Sequence, residues 1–268
     1  MKTTFRKTLL ASLVVPFALG AQSASAATLV TDWGYNVNNT FTSFTDSTGG
    51  GSVTASADNK TLSWGLRPAQ SSISITDVFA TSGLETNGGV VAGGRFTHSN
   101  KVINASDSAL TSFNLASELT LTPFAPVNAA SLPPSTTVFS SFFKETPNNG
   151  DCVVGAGSNC DDIFTVGNVS ILGDDLELAT SFAYDGYNYT VFLKLLGLGM
   201  LGSDACAVAG AEAGCVGLLT REGFNSNFDT EFRIVASAIP VPEPGTLALL
   251  GLGLAGLGMS RKKKAAQA

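Results

Sequence analysis

Histidine is almost absent from this chain, with one residue in 268, and only two tryptophans and three methionines accompany it. A single imidazole cannot build a multi-histidine metal centre, and it confines any histidine chemistry to one position, His98. Charge is scarce too, since Asp, Glu, Lys and Arg make up 13% of residues while the hydrophobic share is 44%. That balance excludes a disordered polyelectrolyte and leaves ample apolar material for a core. Basic residues are rarest in the middle of the chain. Seven of the fifteen crowd the two ends (Lys2, Arg6, Lys7 and Arg261, Lys262, Lys263, Lys264), so residues 27–240 hold eight against twenty acidic ones. A segment with a net charge of about −12 repels polyanions, which excludes a nucleic-acid partner.

Also missing is any long stretch with the 3.6-residue apolar period of an amphipathic helix. A two-residue alternation recurs instead, as in Ser72-Ile73-Ser74-Ile75, Glu118-Leu119-Thr120-Leu121-Thr122 and Thr230-Glu231-Phe232-Arg233-Ile234-Val235. Further strands are expected over 28–35, 40–44, 52–57, 61–66, 95–103, 136–144, 163–172, 176–184 and 187–195, all rich in Val, Ile, Thr, Phe and Tyr. Turn clusters separate them. The sharpest is Asp185-Gly186, a two-residue loop between strand-like flanks, because a type I′ hairpin needs positive φ at both central positions. About a dozen short strands predict an all-β fold, a single antiparallel β-sandwich or jelly roll, across residues 27–240.

The ends read as addresses. Residues 1–26 have the basic front, the uncharged apolar run Leu9 to Ala21 and the Ala24-Ser25-Ala26 cleavage site of a secretory signal peptide, which places the mature start near Ala27. At the other end, Gly245 to Ser260 is an uncharged Gly/Leu-rich run followed at once by Arg261-Lys262-Lys263-Lys264. It predicts a single short membrane helix of roughly 24 Å with its basic end in the cytoplasm and the body of the protein outside. Directly before it stands Pro242-Glu243-Pro244, an extended stalk that neither helix nor central strand accommodates.

In this order of parts, residues 241–268 resemble the PEP-CTERM sorting signal. The resemblance implies an exosortase as processing partner, a membrane transpeptidase of Gram-negative bacteria that make exopolysaccharide. It implies passage across the inner membrane, transient anchoring, then release or transfer to the cell surface or the extracellular space. Within the body, Thr97-His98-Ser99-Asn100 carries a Thr-His-x-Asn tetrapeptide, which is similar to the PEP-CTERM proteins named for that motif. Cys160-Asp161-Asp162-Ile163-Phe164 resembles a second segment of theirs. The likeness implies an exported β-rich domain and assigns no reaction to His98. On the residues alone, Thr97, His98 and Asn100 are expected to form a hydrogen-bonded turn or strand terminus, since no G-x-S-x-G elbow singles out a nucleophile.

All four cysteines lie in the exported part. An oxidising compartment and an even count predict disulfides, and the short Gly/Ala-rich loops favour the local pairs Cys152–Cys160 and Cys206–Cys215 over zinc ligation. Carboxylates gather at Asp161, Asp162, Asp174, Asp175, Glu177 and Asp185. Of these, Asp175 and Glu177 are spaced to share a strand face and are the calcium candidates, although no EF-hand loop is present and solvated turns are the plainer reading. Gly197-x-Gly199-x-x-Gly202 matches the dinucleotide fingerprint, with Glu222 twenty residues beyond its last glycine, but it lacks a βαβ context. No cofactor and no catalytic residue is predicted. The sequence thus reads as a non-enzymatic surface or extracellular-matrix protein associated with exopolysaccharide. An extracellular carbohydrate-active hydrolase with paired carboxylates and a calcium-dependent adhesion module are the alternatives.

Overall fold

A computed structural model describes residues 27–127, 131–147, 152, 160–167, 171–172, 176–240 and 253–254. It is all-β, about 60% strand with one short helix, and its strands form two curled antiparallel sheets. In chain order the strands are β1 (Asp32–Asp46), β2 (Thr54–Ala55), β3 (Thr61–Trp64), β4 (Ser71–Ile75), β5 (Val78–Glu85), β6 (Val91–Ser99), β7 (Leu110–Ala125) and β8 (Ser135–Lys144). They continue with β9 (Asp162–Val166), β10 (Ile171–Leu172), β11 (Glu177–Tyr184), β12 (Tyr187–Leu195), β13 (Gly199–Met200), helix α1 (Ser203–Ala209), β14 (Val216–Thr220) and β15 (Asn225–Ala238). One sheet runs β13-β14-β9-β8-β7-β1-β5 and the other β10-β11-β12-β15-β6-β4-β3-β2. The chain crosses from sheet to sheet repeatedly, and two crossings, after β6 and between β14 and β15, matter below.

Alternation explains the packing. β4 reads buried, intermediate, buried, intermediate, buried, so Ser71, Ile73 and Ile75 face the interior. The long strands β1 and β7 lie side by side, with register shifts at Asp32/Trp33, Phe41/Ser43 and Thr45/Asp46. Such irregularities bend a strand and increase its twist, which is how a sheet this wide curls. The sheets enclose two apolar clusters. One centres on Trp33, Tyr35, Tyr189, Phe232 and Ile234, the other on Trp64, Phe96, Phe113, Phe143 and Phe164. The rings meet mostly edge to face, as for Trp33 on Tyr189 at 5.1 Å and 84°, the geometry their quadrupoles favour.

Several expectations meet their counterparts here. Asp185 and Gly186 have φ of 42° and 79°, and Tyr184 pairs with Tyr187 across the hairpin. Both disulfides are present, Cys152–Cys160 and Cys206–Cys215. The dinucleotide-like glycines lie on Gly197, in β13 and at the N-cap of α1. β13 pairs antiparallel with β14, so no parallel crossover forms there. Three strands and the helix were not anticipated: β5, β13, β14 and α1. The expected strands 28–35 and 40–44 are a single strand, because the intervening Asn36-Val37-Asn38-Asn39 also pairs with β7. The signal peptide, the Pro242-Glu243-Pro244 stalk and nearly all of the expected membrane segment lie outside the described residues. No helix among the described residues is long and apolar enough to cross a membrane.

Candidate functional site

The tetrapeptide lies at the end of β6, and the pleat divides its side chains. Thr97 points outward, where its hydroxyl donates to Asn227 Oδ1 at 2.8 Å. His98 points inward and is fully buried. Its imidazole stacks on Trp64 with centroids 5.6 Å apart, and the rings of Phe143 and Phe164 meet it edge-on at 5.5 and 5.0 Å. Nδ1 lies 2.8 Å from the Thr220 hydroxyl. The same hydroxyl lies 3.4 Å from the Asp162 carbonyl, which can only accept; donating there, it accepts from His98, and Nδ1 carries the imidazole proton. Nε2 is then an acceptor, and it has no hydrogen-bond partner. Burial alone pushes the imidazole pKa down to about 3, which keeps the ring neutral near pH 7.

Three carboxylates also face one another. Glu145 directly follows β8, Asp162 opens β9, and Glu222 sits in the turn between β14 and β15. Ligand oxygens from all three lie within 4.8 Å of one another. Trp64 Nε1 donates to Glu145 Oε2 at 2.8 Å, and the Thr146 backbone N–H donates to Asp162 Oδ1 at 2.8 Å. The remaining oxygens, Glu145 Oε1, Asp162 Oδ2 and both of Glu222, make no hydrogen bond. Burial, then the neighbouring carboxylates, pushes Glu145 and Asp162 well above the usual carboxylate range, against the pull of the Trp64 and Thr146 donors. Glu222 is raised as well, first by burial. The Asn100 side chain and the Gly223 N–H lie close enough to favour its ionised form, although neither makes a hydrogen bond of normal geometry to it.

Asn100 completes the group. It is fully buried just past the end of β6, fixed by its backbone N–H to the Phe224 carbonyl at 2.9 Å and by Nδ2 to the Thr220 carbonyl at 3.4 Å. Its Oδ1 accepts nothing. The ion pairs Lys60–Asp77, Arg95–Asp229 and Arg233–Glu177 all lie elsewhere, and none includes a cluster carboxylate.

The structure therefore brings the two motif segments together: His98 and Asn100 from one sheet meet Asp162 from the other, through Thr220. The Cys152–Cys160 bridge ends one residue before the Asp161-Asp162 pair. Glu145 and Glu222 were not anticipated as site residues. The only sequence signal for either is an acidic residue at the end of a strand, which many surface turns share. The calcium candidates fare differently: Glu177 is committed to Arg233 at 2.8 Å, and Asp175 lies outside the described residues. An apolar gap of about 120 Å³ between the sheets, bordered by Ile75, Phe96, Phe113, Leu115 and Leu218, has no carboxylate or histidine on its wall.

Comparison with curated proteins finds no match. Residues 240–263, beginning two residues beyond β15, match the family described as the PEP-CTERM protein-sorting motif. That motif is a sorting signal for exosortase processing, and it marks the chain as an exported, exosortase-targeted protein with a surface or extracellular destination.

Proposed function

We propose that this is a non-enzymatic structural or binding protein of the bacterial surface or extracellular matrix, cut by an exosortase and retained with exopolysaccharide. The observation that carries the reading is the placement of the sorting motif: β15 ends at Ala238 in the middle of its sheet, and the motif begins at residue 240. Cutting there leaves the β body whole. Two further observations support the reading. The body is acidic and presents Ser, Thr and Asn on its exposed strand faces, side chains suited to polar contact with glycans. The three facing carboxylates are buried or half-buried and their unpartnered oxygens are shielded from solvent, in contrast to the acids of the open cleft a glycosidase needs.

The test is fractionation of the producing cells, with intact-mass measurement of the protein outside them. The expected species begins near Ala27, lacks Arg261–Lys264, and co-sediments with exopolysaccharide until the polymer is removed. Extracellular material with its full C-terminus, or complete solubility in the presence of the polymer, overturns the proposal.

A further inference from the structure

We infer that Glu145, Asp162, Glu222 and Asn100 form a calcium site that ties the two sheets together at one end of the sandwich. The first observation is geometric. Calcium binds oxygen at about 2.3–2.6 Å, so oxygens on opposite sides of one ion are roughly 4.6–5.2 Å apart. Ligand oxygens of all three carboxylates lie within 4.8 Å of one another, so a single ion can touch all three. The second is independent of the acids. Asn100 is fully buried and its amide oxygen accepts no hydrogen bond; its side chain faces Glu222 with the donor nitrogen, so the oxygen enters the site when the amide turns over. A buried amide oxygen with no donor is rare and costly, and a hard cation satisfies it directly.

The ligand set names the metal class. Three carboxylates and an amide oxygen are all hard donors, with no thiolate among them, which favours calcium or magnesium over zinc and copper. Calcium tolerates irregular coordination, whereas magnesium demands a near-ideal octahedron at 2.0–2.1 Å and retains its waters. Ligands drawn from four separate strand ends suit the first.

Placement gives the ion its consequence. Glu145 and Asp162 belong to the sheet containing β8 and β9, Asn100 follows β6 of the other sheet, and Glu222 lies in the turn that passes between them. His98 and Trp64 act as positioning residues. Trp64 holds one oxygen of Glu145, and His98, through Thr220, braces the start of β9 where Asp162 stands. The tetrapeptide thereby supplies one ligand and one brace.

The experiment uses the mature disulfide-bonded protein, stripped with chelator and titrated with calcium by calorimetry, with melting curves alongside. One calcium per chain is expected, half-saturating at or below about 1 mM, the range of extracellular calcium modules. The melting temperature rises with calcium and rises less with the same concentration of magnesium. Asp162→Asn, Glu222→Gln and Asn100→Ala each weaken calcium binding at least tenfold. In chelator, the two carboxylate variants melt at or above the wild-type temperature, because each replaces one of three crowded acids with a neutral amide that keeps an acceptor oxygen. A carboxylate with a purely structural role would give the opposite result in chelator. Should Asp162→Asn not fold, Glu222→Gln at the partly exposed edge decides. Absence of any heat or melting shift up to about 10 mM calcium, beyond the weakest natural modules, overturns the inference. So does wild-type calcium affinity in Glu222→Gln.

Discussion

At the scale of single residues, the buried imidazole shows how one hydroxyl fixes a tautomer. Thr220 links His98 to Asp162, so replacing it with valine keeps the shape and removes the acceptor. Thr220→Val is expected to lower stability by about 1–3 kcal/mol, the cost of a buried N–H left without a partner. Urea unfolding at pH 7 measures it, and a midpoint equal to wild type would show that the hydroxyl makes no net contribution to holding His98. His98 illustrates what a sequence does and does not disclose. Its uniqueness made it conspicuous, and the alternation of β6 turned it inward. Its surroundings were illegible, because Trp64, Phe143, Phe164 and Thr220 come from four other strands.

At the scale of elements, β14 is the strand on which the site depends, since it carries Thr220 and leads into Glu222. It escaped sequence reading because Val-Gly-Leu-Leu-Thr is a short apolar run without alternation, buried on both faces. Gly217 explains its fit: a Cβ there would collide with the Phe164 carbonyl oxygen of β9. Backbone cannot yield as a flexible side chain does. Gly217→Ala is therefore expected to cost at least the roughly 1–3 kcal/mol of ordinary overpacking, and calorimetric titration should show calcium binding lost with it. A conservative glycine replacement at Gly199, where a Cβ meets nothing within 4 Å, serves as the control. The disulfides act on smaller excursions. Each closes a loop of eight or nine residues, so replacing Cys206 and Cys215 together with alanine should reduce stability by about 2–3 kcal/mol without abolishing folding. Non-reducing peptide mapping of the wild type should yield the two local links and no others.

At the scale of the whole molecule, three facing acids make stability depend on pH in a direction opposite to that of most salt-bridged proteins. Burial raises the folded-state pKa of Glu145, Asp162 and Glu222, so the folded protein binds more protons than the unfolded chain. Their stabilising contribution is complete below about pH 4 and is lost as pH rises toward their folded values. His98 works the other way, with a folded pKa depressed to about 3, but it is neutral in both states above its unfolded value of about 6.5. In chelator, then, the urea midpoint should fall as pH rises from about 7 into the alkaline range, and Glu145→Gln should flatten that slope. A midpoint that climbs over this range would mean that the carboxylates are ionised and partnered.

The sequence by itself determined the address, the fold class and the disulfides. Each of these rests on information contiguous in the chain: a motif of neighbouring residues at 240–263, a two-residue alternation, and cysteines eight or nine positions apart. Hairpins such as Asp185-Gly186 belong to the same class, since φ preferences act within two residues. Only the tertiary structure decided the site. Glu145, Asp162, Glu222 and Asn100 stand at four strand ends separated by up to 122 positions, and nothing local distinguishes them from acids in solvated turns. What sets them apart is burial beside one another, produced when the two sheets close over Trp64 and Phe164. Enclosure leaves carboxylate and amide oxygens without water or donors, and that deficit exists only in the folded molecule.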